Sequence, residues 1–203
     1  MQFYSKKLMQ GGAPYEPGTA VYFAEGGAPV TLKLVKGIYF IEAVGGGGGA
    51  SYSKVGSGMG SGGGSGGCIR GYYRLAKGVY NLTSGRRGDD SNMTNIPNYE
   101  RSPSGEMSSV HTADGTAVCI GYGGTGAKRA SPQGYGGSTY TNPTYQDGAL
   151  VTNLGGNNGG VGSLWTAAKG GASVYNGYGK GGDGNAPNQG TNGFLKITYL
   201  RRN

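Results

Sequence analysis

AVGGGGGASYSKVGSGMGSGGGSGGC, residues 43–68, decides how the rest of the chain is read. As a flexible linker it would separate two folded units. As an ordered element it would belong to one. Its flanks favour one unit. Before it, PVTLKLVKGIYFIEAV (29–44) holds two alternating runs rich in β-branched and aromatic residues, 31–35 and 38–44. They read as strands, with Lys36-Gly37 as a hairpin turn between them. After it, 68–75 and 79–83 flank Ala76-Lys77-Gly78 and predict a second hairpin. TAVCIGY (116–122) and GFLKITYL (193–200) add strands. No helical period of useful length appears, and SLWTAAKG (163–170) alone has room for a turn or two.

The expected class is all-β: a small β-sandwich with long glycine-rich loops. Residues 1–28 read as an N-terminal arm or docking segment, and 29–203 as the glycine-rich β domain. Within it, 85–115 reads as a polar surface excursion, and 121–193 as almost entirely loop by local rules. The glycines leave two readings open. They form mobile loops, or they form short extended helices of the polyproline type. The second has three residues per turn, with glycine where chains touch. Gly121 and Gly124, Gly134 and Gly137, and Gly156, Gly159 and Gly162 show that spacing. The cost is entropic, since each ordered glycine loses on the order of 0.5–1 kcal/mol more than alanine. On the ordered reading, 45–67 packs against the other glycine tracts.

The chain has 203 residues, 47 of them glycine, and a formal charge of +8. Charged residues are only 14%, too few for a typical disordered tail. The positive balance suits acidic partners, but no nucleic-acid motif accompanies it. No apolar stretch approaches the ~20 residues of a membrane span, and the N-terminus has no hydrophobic signal core. We therefore expect no membrane insertion and no Sec signal. Two cysteines, Cys68 and Cys119, make no disulfide framework. One bridge between them and two reduced, half-buried thiols both stand, the second favoured.

Catalytic motifs fail on context. GYGGTG (121–126) matches a dinucleotide fingerprint formally but lacks the βαβ unit behind it, and GYGGTGAK misses a Walker loop. His111 with Asp114 and nearby serines has no nucleophile turn and reads as a solvated loop histidine. No Cys/His cluster has zinc spacing. The expectation is a non-enzymatic protein without cofactor or metal. What remains are aromatics and cations set among glycines: Tyr122, Lys128, Arg129, Tyr135, Tyr140, Tyr145, Trp165, Lys169, Tyr175 and Tyr178. Rigid rings on small-residue loops are the alphabet of adaptable recognition surfaces. These residues are the candidate ligand-binding set. The same rings would also serve to cover the glycine layers.

Four pieces occur in order. A strand runs into IEAVGGGGGA, and SGGGSGGCIRGYYRLAKGVYNLTSG runs from glycines through strand, turn and strand. GTAVCIGYGGTG then returns to glycines, and GKGGDGNAPNQGTNGFLKITYL closes on a strand. This order resembles the glycine-rich domain of phage tail fibre and receptor-binding (tip adhesin-like) proteins and related bacterial surface or prophage proteins, over about residues 29–200. The resemblance implies a virion or extracellular structural protein that recognises a host cell-surface glycan or outer-surface protein. Its glycine segments would form a rigid platform, and the arm would dock on a fibre shaft or on a neighbouring copy. The long polar excursion departs from the family pattern, and the family carries no common catalytic residues. A self-assembling subunit of an extracellular filament or sheath is the alternative. An ice-binding protein is a weaker one, disfavoured by the charge and the tyrosines.

Overall fold

The computed structural model describes residues 15–51, 60–88, 102–127, 133–161, 168–183 and 189–202. No described residue is helical. Among the described residues ten strands form two antiparallel sheets of five. They are β1 (Ala20–Glu25), β2 (Val30–Leu34), β3 (Gly37–Val44), β4 (Cys68–Leu75), β5 (Gly78–Thr83), β6 (Ser108–Thr112), β7 (Ala117–Gly121), β8 (Thr139–Thr141), β9 (Thr152–Leu154) and β10 (Phe194–Arg201). The first sheet runs β1-β10-β3-β4-β9 and the second β2-β5-β6-β7-β8. The chain is the all-β sandwich expected. Alternation turns Tyr39, Ile41 and Ala43 of β3 inward. There they join Leu34, Ile69, Tyr73, Leu75, Tyr80, Leu82, Val110, Cys119, Leu195, Ile197 and Tyr199 in one core between the sheets.

Neither expected hairpin forms. β2 pairs with β5 and β3 with β4, so each Lys-Gly turn is an arch that carries the chain from one sheet to the other. The arches share a pattern, Val35-Lys36-Gly37-Ile38-Tyr39 and Ala76-Lys77-Gly78-Val79-Tyr80. In each the buried tyrosine reaches back four residues. Tyr39 O–H donates to the Val35 carbonyl at 2.7 Å, and Tyr80 O–H to the Ala76 carbonyl at 3.0 Å. A hairpin would keep both strands in one sheet. The inward tyrosine, needing a partner for its hydroxyl, stabilises the arch instead.

The boundary expected between 28 and 29 does not divide the structure. β1 pairs with β10, and its Val21, Tyr22 and Ala24 enter the core. The excursion 85–115 is not all surface either. Its end is β6, whose Val110 is fully buried, and His111 is a half-buried strand residue rather than a loop one. A tight turn at Asp114-Gly115, which the sequence reading did not single out, joins β6 to β7 as a hairpin, with Gly115 at φ +88° and Thr116 N–H bonded to Asp114 Oδ1 at 3.0 Å. SLWTAAKG lies mostly outside the described residues.

Strand connectivity gives the sandwich two unlike ends. The arches, the Asp114-Gly115 hairpin and the described chain ends at 15 and 202 share one end. Tyr15 packs edge-on against Tyr199 there, and Gly18 N–H bonds the Tyr199 carbonyl. From the other end rise the glycine tracts.

Candidate functional site

Ten described stretches build the platform: 45–51, 60–67, 84–88, 102–107, 122–127, 133–138, 155–161, 168–173, 179–183 and 189–193. Their bonding repeats every three residues. In 45–51, the N–H groups of Gly45, Gly48 and Ser51 donate to Gly67, Gly64 and Ser61. Those of Gly46 and Gly49 donate to Glu106 and Pro103, and that of Gly47 to Thr191. Its carbonyls accept from Gly124 and Ala127, from Gly88 and from Gly182. One extended segment is thus bonded to six others. Stretch 60–67 does the same. It donates to 155–161, 179–183 and 122–127, and accepts from 45–51, 133–138 and 168–173.

The remaining eight close a ring around these two, in the order 122–127, 102–107, 84–88, 189–193, 179–183, 168–173, 155–161, 133–138. The result is three layers: 102–107, 122–127 and 133–138; then 84–88, 45–51, 60–67 and 155–161; then 189–193, 179–183 and 168–173. A helix of three residues per turn, with N–H groups pointing in three directions, produces this packing. Every described residue of 45–51 and 60–67 is buried. A Cβ on Gly47 would enter the Lys180 carbonyl, and one on Gly64 the Tyr135 carbonyl. Burying so much peptide is tolerable only because its donors and acceptors are paired.

The opening stretch therefore supplies both central members, and it is not a linker. Eight tracts continue directly from strands, while 168–173 and 179–183 are joined by the turn 174–178. The described tract ends remote from the sandwich are 51, 60, 88, 102, 127, 133, 161, 168, 183 and 189, and between them in sequence run 52–59, 89–101, 128–132, 162–167 and 184–188. They lie outside the described residues, and with them Lys128, Arg129 and Trp165 of the candidate set.

The other candidates fall into separate places. Tyr175 and Tyr178, in the turn 174–178, clamp the platform to the outer face of the first sheet. Tyr178 packs on Phe194 and donates to Glu25 Oε1 at 2.7 Å; Tyr175 donates to Glu42 Oε1 at 3.2 Å and lies under the Arg70 guanidinium. Glu42 is buried and bridged to Arg70 at 3.0 Å and Lys196 at 3.8 Å. The carboxylate at Glu25, with burial, raises the Tyr178 hydroxyl above its ordinary value. Burial foremost, then the Glu42 charge, raises that of Tyr175. Tyr145 packs against the core. Lys169 is exposed on 168–173, beside Gly170, whose N–H binds Asp183 Oδ1 at 2.7 Å.

Tyr122, Tyr135 and Tyr140 do come together. In 122–127 the glycines at 123, 124 and 126 face neighbouring tracts, which leaves Tyr122 and Thr125 outward. In 133–138, Gly134, Gly136 and Gly137 do so, which leaves Tyr135 and Ser138 outward. Tyr140 points to the same side of β8, since its neighbour Thr141 turns inward and bonds the core Tyr73 hydroxyl. Met107 stands beside Tyr122, because Ser108 pairs with Gly121 and turns inward to bond the Val44 carbonyl. These four are 38–45% exposed. Local sequence rules missed Met107. Only the three-residue period, applied to SPSGEM, would have placed it outward.

The cysteines are free thiols. Cys119 sits in the main core and Cys68 with Val44 and Phe194 on the outer face of its sheet, so no bridge links them. Both are fully buried rather than half-buried. Burial pushes their thiols up to about 12 and about 11, which keeps them protonated and inert. Among the described residues no group of three or more His, Cys, Asp or Glu could hold a metal ion, and no helix is long and apolar enough to cross a membrane. No protein-family model matches the chain, and no curated protein matches it.

Proposed function

We propose that this protein is a non-enzymatic receptor-binding adhesin of the phage tail fibre kind, which recognises host cell-surface glycans. One observation carries the reading. The described chain ends leave from one end of the molecule, and the described tract ends that flank 52–59, 89–101, 128–132, 162–167 and 184–188 lie at the other. A backbone-bonded platform fixes where those stretches begin and end, so their sequences can vary without cost to the fold. They hold the polar, aromatic and basic residues YSKVGSGM, DDSNMTNIPNYER, KRASP, GSLWTA and GNAPN. The first described residue, Tyr15, lies at the opposite end, which suits an N-terminal arm that docks on a fibre shaft, and the protein's location would be the virion. Exchanging 128–132 and 162–167 for unrelated sequences of equal length should abolish binding to intact host cells while leaving the melting temperature unchanged. Retained binding would sink the reading.

The filament alternative draws on the open edges of β1, β2, β8 and β9. Negative-stain images decide between them: long polymers favour the filament, discrete particles the adhesin.

A further inference from the structure

We infer that the exposed edge formed by β9 and the tract that follows it, residues 151–161, docks a second copy of this chain, which meets it with the carbonyl side of its own 84–88. The contact is head-to-tail. It does not rest on the adhesin reading and goes beyond it, to how copies assemble.

Hydrogen bonds run one way through the middle layer of the platform. Gly88 N–H donates to the Gly47 carbonyl. Gly45, Gly48 and Ser51 donate to Gly67, Gly64 and Ser61, and Gly62 and Ser65 donate to Gly160 and Asn157. Each tract receives from one neighbour in the layer and gives to the next. The layer therefore begins on a side that accepts and ends on a side that donates.

The donating side is 155–161. Its Gly156 and Gly159 N–H groups go to 133–138, that of Gly160 to Lys169 and that of Asn157 to Ser65 Oγ. Those of Gly155, Asn158 and Val161 have no bonded partner among the described residues. At three residues per turn they form one row, about 9 Å apart, pointing away from 60–67. On the accepting side, the Gly85 and Arg86 carbonyls receive from Gly193 and Glu106, and that of Arg87 receives no N–H among the described residues. A second copy set at the layer spacing of about 4.8 Å supplies what each side lacks. Two copies joined through the same edge would set N–H against N–H, so the contact pairs unlike sides.

The side chains agree. Val151, Leu154 and Val161 are 51%, 49% and 57% exposed, the highest values among the large apolar residues described, and all three lie on this edge. β9 pairs with β4 alone. Exposed edges are commonly guarded by charge or a bulge. β1 has Glu25 and a bulge, and β2 has Lys33, whose carbonyl accepts from Tyr15 O–H at 3.4 Å. From Gly148 to Val161 there is no charged residue. The exposed Arg86 and Arg87 of an approaching copy meet no like charge there, and their stems can cover the apolar side chains. A head-to-tail contact closes into a ring or runs on as a filament, according to the rotation between copies.

Sedimentation velocity of the full chain, over about a hundredfold range of concentration, should show monomer giving way to a ring or a polymer. Gly155→Pro deletes an N–H that no internal bond uses, and an extended tract already has the φ that proline requires. It should weaken association by about tenfold or more with the thermal melt unchanged. Gly155→Ala keeps the N–H and should associate as wild type. Leu154→Lys, which leaves the backbone intact, should weaken association by about tenfold. Capture on a biosensor tests the pairing of unlike sides. Immobilised wild type should bind soluble Gly155→Pro, which keeps its 84–88 side, whereas immobilised Gly155→Pro should not. Monomer throughout overturns the inference, as does wild-type association in Gly155→Pro or Leu154→Lys. Equal loss in Gly155→Ala, or failure of wild type to capture Gly155→Pro, overturns it too. Attachment to host cells is scored separately: a monomer that still attaches removes this contact and leaves the adhesin reading standing.

Discussion

At Gly64 a methyl group would enter the space of the Tyr135 carbonyl, whereas at Gly49 it would meet the Ser102 Cβ at 3.4 Å, an ordinary contact. Both glycines belong to the buried central tracts, so composition alone does not distinguish them. Gly64→Ala should cost about 3 kcal/mol or more, because the obstacle is backbone already bonded on both sides and has no rotamer to yield. Gly49→Ala should be neutral to about 1 kcal/mol stabilising, through the smaller entropy of the unfolded chain. Urea unfolding of the two variants checks the pair, and equal losses would mean that the tracts are not bonded as described. The thiols offer a second probe at this scale. Cys68 and Cys119 should resist a thiol reagent at pH 8 in the native protein and both react after unfolding, since each is buried and protonated. Reaction of either at the rate of a free thiol would place it at the surface instead.

The two arches belong to the scale of elements. Tyr39→Phe keeps the ring in the core but strips the Val35 carbonyl of its 2.7 Å partner. The Val35 carbonyl is part-buried, and a fully buried unsatisfied acceptor costs about 1–3 kcal/mol, so thermal melting should show a loss toward the lower end of that range, about 1 kcal/mol. A neutral result would mean that water reaches Val35 and that the arch does not depend on the hydroxyl. The strands on either side were legible in the sequence, because 31–35, 38–44, 68–75, 79–83 and 193–200 alternate over enough residues to mark a buried face. Their pairing was not. A Lys-Gly turn is compatible with a hairpin and with an arch, and only the partner strand, distant in sequence, decides between them. β1, β6, β8 and β9 escaped for related reasons. AVYFAE follows directly on the irregular, glycine- and proline-bearing segment before it; SSVHT is polar on its outer face; TYT and TNL are three residues each and exist only because β7 and β4 offer open edges. Of the candidate site, the sequence names residue types but not their places. Tyr122, Tyr135 and Tyr140 share a face because glycines at three-residue spacing turn them outward, whereas Tyr175 and Tyr178 are used to hold the platform down.

At the scale of the molecule, two kinds of order are joined end to end: a sandwich held by apolar burial, and a platform held almost wholly by peptide hydrogen bonds. The three-residue glycine spacing hinted at the second, but no local rule says which of six neighbours an N–H will choose. The core is also unusual in using tyrosine where phenylalanine would serve, and this makes the whole fold sensitive to alkali. Burial raises the hydroxyls of Tyr39 and Tyr73 far above their ordinary value, and those of Tyr15 and Tyr80 less. Those of Tyr175 and Tyr178 and both thiols are raised as well. In every case the folded chain holds its proton more tightly than the unfolded one, where cysteine and tyrosine release theirs near about 8.5 and 10. The stability these groups contribute is therefore fully present below those values and is lost as pH rises through them toward the folded values. Resistance to urea should stay level up to about pH 8, begin to decline near 9 and fall steeply above about 10, with several tyrosines ionising together at the unfolding step. Absorbance at the phenolate band during an alkaline titration reads this directly: a cooperative step coincident with loss of circular dichroism is expected. Gradual, independent ionisation with the fold intact would show that these hydroxyls are solvated, and that the core is not the tyrosine-lined one described.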